Sequence, residues 1–412
     1  MKIGMISQWY EPETGSAAHP AAIARALAAR GHEVQVLTGY PSYPQGRVHS
    51  GYRMSLRQQE EREGVRLLRV PDVPSHDDNA LRRAASLTSF AASATLQVGW
   101  LRDVDVCLVY LTPATVGAAA MALRATAGVP YVLYVQDLWP ETVTASGFIG
   151  QGRATRAVER GITGFLTRLY RRAEGIAAIS PTMARTLTGR GAVVVPESVP
   201  NWVDETVFRP PGLPLGASPL PPSRSWIMYA GGIGDVQALE HAVHAISLLP
   251  DREDIGLALV GDGVARPGLE ALAQRLQVSE RVCFLGPRPM AEMPGLMASS
   301  VAQLVSLRDL ELFRGTIPSK LQASMACGAP VLCSVAGDAA ELVERVRCGL
   351  TVTPETPSEL AAAMRALVDL PPAERAAMGD RGRAAYEREL SSDAGAAHLE
   401  RMLETAAQRR RR

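Results

Sequence analysis

Short apolar runs recur along the chain, each followed by a turn and then by a stretch with helical spacing. Lys2–Ser7, Glu33–Thr38, Val65–Val70, Val106–Leu111, Tyr131–Val135 and Ile176–Ile179 read as strands, with Val193–Val195 as a further short one. His19–Arg30 repeats its apolar residues at helical period and stops at Gly31, and Ala-rich helices separate several of the later strands. Strands alternating with helices predict an α/β domain with a parallel, doubly wound sheet.

Arg209–Ser223 (RPPGLPLGASPLPPS) interrupts this rhythm and reads as a linker. The rhythm then restarts. Trp226–Ala230 is a strand, Gly231–Asp235 a glycine-rich turn and Val236–Leu249 a helix, and Gly256–Val260, Val282–Leu285, Ala302–Leu307 and Pro330–Ser334 are later strands. The expected organisation is a Rossmann-like domain over 1–208, the linker 209–223 and a second Rossmann-like domain over 224–385. A C-terminal helix over 386–412 is expected to pack back on the first domain. Ligands bind such sheets at the carboxyl ends of the strands, so two facing domains predict a site in the cleft between them.

Composition narrows the class. The 412 residues are 47% apolar and 21% charged, which fits a globular protein and excludes disorder. With 43 basic against 42 acidic residues the formal net charge is +1, so no nucleic-acid partner is expected. Five scattered cysteines, none in a C-x-x-C pair, argue against a metal or disulfide framework and fit a reducing cytoplasm. Met1–Trp9 reads as a strand rather than a signal peptide. Ala84–Leu101 is too polar to span a membrane, and Val106–Leu123 reads as a strand and a helix. Only Lys2 and Lys320 are lysines in an otherwise Arg-based chain, which singles out Lys320 for a role that a planar guanidinium cannot fill.

Five segments carry candidate chemistry. The loop Gln8–Ala17, with Gly15 and Ser16, joins the first strand to the first helix, where backbone N–H groups favour anions. Gly231-Gly-Ile-Gly234 follows the first strand of the second domain but lacks the full G-x-G-x-x-G of a dinucleotide site. Asp103-Val-Asp105 has the form of a metal-holding pair, yet its place before a strand reads as the polar start of that strand. Gln136-Asp-Leu-Trp-Pro-Glu141 sets acidic and aromatic residues at a strand's carboxyl end and singles out Asp137. Phe313-Arg-Gly-Thr-Ile-Pro-Ser-Lys320 precedes a helix over Leu321–Cys327. Backbone N–H groups at Gly315, Thr316 and Ile317, with Arg314 and Lys320, have the composition of a diphosphate cradle.

These residues resemble family 4 glycosyltransferases of the GT-B fold, closest to the subgroup of bacterial N-acetyl-fucosamine transferases of O-antigen and exopolysaccharide synthesis. The resemblance runs through Tyr10–Ser16, Thr38–Pro44 (TGYPSYP), Gly51-Tyr-Arg53, Asp137–Glu141 (DLWPE), Val199–Asp204 (VPNWVD), Tyr229–Leu239, Val260–Gly263 (VGDG) and Thr316–Gly328. One departure stands out. Most members carry two Glu seven residues apart, one on the donor sugar and one on the ribose. The corresponding positions here are Gly315 and Ala323, and the Arg and Lys that usually follow the glycine turn near Gly231 are also absent. Glu341 is the substitute candidate for the ribose.

The resemblance implies retaining transfer of a sugar, an N-acetylhexosamine, from a UDP-linked donor to a hydroxyl acceptor, with no cofactor and no metal. The implied catalytic residues are Asp137, Lys320 and Arg314. Donor binding is expected at Gly15, Ser16, Gly232, Gly234, Gly263, Arg288, Gly315, Thr316, Ile317 and Glu341. The acceptor is open, lipid-linked or a secondary metabolite, and Leu81–Leu101 with Arg82-Arg83 is a candidate for peripheral contact with a membrane. Three rival readings remain: a GT-B epimerase acting on a UDP-sugar, a non-catalytic sugar-nucleotide-binding partner, and a nicotinamide-dependent oxidoreductase.

Overall fold

A computed structural model describes residues 1–13, 15–43, 45–75, 80–140, 153–212 and 219–410. The chain divides into two compact units, Met1–Val199 with Gly395–Arg412, and Pro200–Ala394. The division falls ahead of the Pro-rich segment 209–223, of which 213–218 lie outside the described residues. The end of that segment is docked on the second unit, with Leu220 buried in its core and the Trp226 indole N–H donating to Pro221 O at 2.9 Å.

The first unit holds one eight-stranded sheet. Its strands are β1 (Lys2–Ile6), β2 (Glu33–Thr38), β3 (Gln58–Arg62), β4 (Val65–Arg69), β5 (Val106–Leu111), β6 (Tyr131–Val135), β7 (Gly175–Ala178) and β8 (Glu197–Ser198), in the order β3-β4-β2-β1-β5-β6-β7-β8. Every neighbouring pair is parallel except β3 with β4. β5 (VCLVYL) and β6 (YVLYV) are buried at every position, as interior strands of a sheet covered on both faces must be. β3 (QQEER) has no apolar residue, so the apolar pattern does not reveal it; a charged, short edge strand is a common protection against edge pairing. Val193–Val195 is not the expected strand. Val193 and Val195 are exposed, and the last pairing is made by Glu197–Ser198 on β7. Within this unit Glu400, on the helix Ser392–Arg410, takes Arg30 and His32, each at 2.7 Å.

The second unit holds six parallel strands, β9 (Ser225–Ala230), β10 (Ile255–Val260), β11 (Val282–Gly286), β12 (Ala302–Ser306), β13 (Val331–Ser334) and β14 (Gly349–Thr351). Their order is β11-β10-β9-β12-β13-β14. The order reverses between β9 and β12, and ligand crevices open at such a switch point. β9 feeds both faces, with Trp226 and Met228 in one core and Ile227 and Tyr229 in the other. The helix expected over Val236–Leu249 opens instead as a 3-10 turn, Asp235–Gln237. It then passes through a left-handed Ala238 and is regular only over Glu240–Ser247.

Among the described residues no helix is long and apolar enough to cross a membrane. Val106–Leu123 resolves into β5 and the start of the helix Gly117–Ala127. In the helix Ala80–Gln97, Phe90 and Ala94 lie in the core while Leu96 is exposed. All five cysteines are free, four of them buried.

Candidate functional site

In the second unit the turns after β9, β10 and β11 are stitched into one layer. Gly231 N–H donates to Val260 O at 2.8 Å, Gly261 N–H to Gly286 O at 2.9 Å and Ile233 N–H to Asp262 O at 2.9 Å. Glycine is required by close approach. A Cβ on Gly263 would lie 2.3 Å from Ile233 O, and one on Gly231 would lie 2.4 Å from Lys320 Cε. The ammonium of Lys320 therefore stands directly over the Gly231 backbone, and its Nζ is 5.1 Å from the Tyr229 ring centroid. Lys320 enters on the helix Ser319–Ala326, with no carboxylate in ion-pair distance among the described residues, and burial holds its pKa below the usual lysine range. Gly234 N–H is held by Gln237 Oε1 at 2.9 Å.

Tyr229 fastens this layer from below, its hydroxyl donating to Gly232 O at 2.6 Å. Tyr229→Phe leaves that carbonyl without its donor. The expected loss is about 1 kcal/mol of stability, read as a lower denaturant midpoint, together with weaker nucleotide binding. An unchanged midpoint and affinity would show that the bond is incidental.

The segment after β12 differs from expectation. Gly315 and Thr316 were expected to offer their N–H groups outward, yet both turn back on Phe313 O, Thr316 at 3.0 Å. The reason is local: Glu311–Arg314 forms one helical turn, and its closing bonds use those donors. Ile317 packs half-buried against the core. The Arg314 guanidinium is exposed and paired with Asp309 at 3.1 Å. A Cβ on Gly337 would lie 2.1 Å from Arg314 O, so the helix Asp338–Val346 begins beside this turn and carries Glu341, exposed, in its first turn. Arg288 lies beyond the edge strand β11, exposed, 4.0 Å from Glu292. The structure thus gathers Gly231, Gly232, Gly234, Gly263 and Lys320 at the switch point. Arg314 and Glu341 lie on neighbouring turns, and Arg288 lies two strands away from β9.

In the first unit Asp137 follows β6 at its carboxyl end, half-buried, accepting from Thr112 Oγ1 at 3.0 Å. Burial raises its pKa, partly offset by that bond. Gly15 (φ 65°) is exposed and opens the 3-10 turn Gly15–Ala18, in which Ser16 follows, ahead of the helix His19–Ala29. Glu141 lies outside the described residues. Asp103 and Asp105 stand at the amino end of β5, the opposite end from Asp137. Asp105 there accepts Lys2 N–H at 2.8 Å.

Sequence reasoning missed the residues that tie the motif loops together. Glu13 is buried and accepts Ser42 N–H at 2.8 Å and Tyr43 N–H at 2.9 Å, joining the Tyr10–Ser16 loop to TGYPSYP. Arg69 is fully buried. It donates to Gly39 O at 3.0 Å, to Glu11 O and to Glu60 at 2.6 Å, and it covers the Tyr52 ring at 5.1 Å. The strand VRLLR carries two arginines, Arg66 exposed and Arg69 buried, so charge alone did not single out Arg69. His19 is half-buried against Tyr110 and Tyr134, and burial lowers its pKa to about 3. Asp72, buried beside Gln8, is pushed up to about 6 by burial.

Residues 14–202 match the glycosyl transferase 4-like domain, and residues 224–369 match the glycosyl transferases group 1. The chain is 28% identical over 388 residues to WcaI of Escherichia coli K12, a glycosyl transferase assigned to colanic acid biosynthesis, covering 90% of this chain and 93% of that one. It is 26% identical over 372 residues to the 2-deoxystreptamine glucosyltransferase of Streptomyces kanamyceticus, covering 85% and 88%. Anabaena HepE, solved in complex with UDP, matches at a TM-score of 0.67 and 17% identity over 98% of this chain and 100% of that one, a likeness of fold.

Proposed function

We propose, for a chain that is a family 4-type glycosyltransferase of the GT-B fold working with a nucleotide-sugar donor, that the donor is a UDP-linked N-acetylhexosamine and that transfer is retaining. One observation carries the reading: the ammonium of Lys320 set over Gly231 at the β9/β12 switch point, without a carboxylate to neutralise it among the described residues. A cation held this way suits a diphosphate, whose charge grows as the sugar departs. UDP in HepE supports uridine as the base. Asp137 would orient sugar or acceptor hydroxyls. In a front-face reaction the leaving phosphate takes the acceptor proton, so no strong general base is needed. The colanic acid biosynthesis named for WcaI and the 2-deoxystreptamine named for the Streptomyces enzyme support testing both glycan-type and small-molecule hydroxyl acceptors.

The test is an acceptor panel with UDP-N-acetylhexosamines, read by mass spectrometry, with the anomeric configuration of the product read by NMR. Transfer with retention is the expected result. Transfer only from hexoses lacking the N-acetyl group would overturn the donor assignment, and an inverted product the mechanism. Activity is also expected to persist in excess EDTA. The only D-x-D stands at the amino end of β5, and among the described residues no group of three or more His, Cys, Asp or Glu could hold an ion. Complete loss restored by Mn²⁺ would show the opposite.

A further inference from the structure

The helix Arg153–Arg172 of the first unit carries Arg153, Arg156, Arg160, Arg168, Arg171 and Arg172 against one acid, Glu159, in a chain of net charge +1. At about 100° per residue, Arg160, Arg168, Arg171 and Arg172 share one face and Glu159 falls on the opposite one. That face opens into a groove of about 840 Å³, lined by these four arginines with Phe165 and with Met121 of the helix Gly117–Ala127. The space beside Gly161 and Gly164 is open, since a Cβ at either would meet nothing within 4 Å.

None of the four guanidiniums is within ion-pair distance of a carboxylate among the described residues. Glu174, next to the helix end, is already taken by Arg124 at 2.7 Å and Arg409 at 3.0 Å. Arg171 and Arg172 gain from the negative end of the helix dipole, but Arg160 and Arg168 lie outside its last turn. These four exposed guanidiniums line one groove with the same charge, and an anion seated among them would offset their mutual repulsion. The groove is also separate from the residues around Asp137. Leu169 O accepts the hydroxyl of Tyr131, which begins β6, and Arg172 O accepts Arg124, so the helix ends at the amino side of the sheet.

We propose that this groove binds a phosphate group, free or carried on a lipid headgroup. The guanidinium forks take the phosphate oxygens, and Met121 and Phe165 take an adjoining apolar part. The full chain, saturated with UDP to occupy any donor site, is titrated with inorganic pyrophosphate. In parallel it is floated with vesicles of phosphatidylcholine alone or mixed with phosphatidylglycerol. The double variant Arg168→Gln/Arg171→Gln is expected to weaken binding about tenfold or more. Arg156→Gln, on the same helix outside the groove, should cost less than about twofold, and thermal melts report that each variant is folded. Pyrophosphate binding without flotation identifies free phosphate; flotation only with phosphatidylglycerol identifies the headgroup. Binding to neither probe, or equal binding by parent and double variant, overturns the proposal. This outcome is independent of the donor reading, because neither probe requires turnover.

Discussion

Lys320→Ala should weaken UDP binding about tenfold or more, the loss expected for a charge-assisted bond of roughly 1.5–3 kcal/mol. The ammonium is held in one place by the Tyr229 ring at 5.1 Å and by the bare Gly231 backbone beneath it. Lys320→Arg should restore affinity poorly, because a planar fork is larger than the space that the missing Cβ of Gly231 leaves. Burial lowers the Lys320 pKa, so in the free protein its charged form is disfavoured by folding. That cost is fully present below the folded pKa and is relieved as pH rises toward the unfolded one. Lys320→Met should therefore leave the thermal midpoint at or above that of the parent while losing UDP affinity. The affinity of the parent should fall as pH rises through the Lys320 pKa, at a lower pH than an ordinary lysine would require. Isothermal titration of the three variants across pH settles the assignment. Parent-like binding by a folded Lys320→Ala would move the phosphate role to Arg314, once released from Asp309.

β5 and β6 were legible because burial on both faces leaves no charged position to blur them, and β2 because its apolar residues outweigh Gln35 and Thr38, which are buried with them. β2, β5 and β6 run over the very residues that their apolar runs mark. β3 was illegible for the converse reason, since all five of its residues are polar and its partner supplies the apolar side. At the site, Lys320 and the glycine turns could be read because residue type alone limits what they do. Arg69 could not, because its burial depends on Glu11, Gly39 and Glu60, which only the fold brings together. The turn at Gly315 and Thr316 shows a similar limit: spacing identifies backbone donors but not the Phe313 carbonyl that takes them.

Asp137→Asn should lower kcat by about a hundredfold or more, the scale of losing a preorganised charge at a reacting centre. UDP affinity should stay within about threefold of the parent, because an interaction made chiefly in the transition state appears in kcat. The amide keeps the shape of the carboxylate and still accepts from Thr112 through its oxygen, so packing after β6 is preserved and the charge alone is removed. The pH profile supplies a second reading. Burial raises the Asp137 pKa and the Thr112 bond pulls it partly back. Activity that needs the ionised carboxylate is present above that pKa and is lost as pH falls through it. Thr112→Val removes the bond that favours the ionised form, so the acid limb of kcat should move to higher pH. In Asp137→Asn the same limb should disappear. A structural Asp137 would move neither limb nor kcat, and stopped-assay rates at saturating donor from acid to neutral pH distinguish the two. The combination of a lost limb in one variant and a shifted limb in the other is specific. General destabilisation lowers activity at every pH, whereas titration of one carboxylate moves with the Thr112 hydroxyl bonded to it.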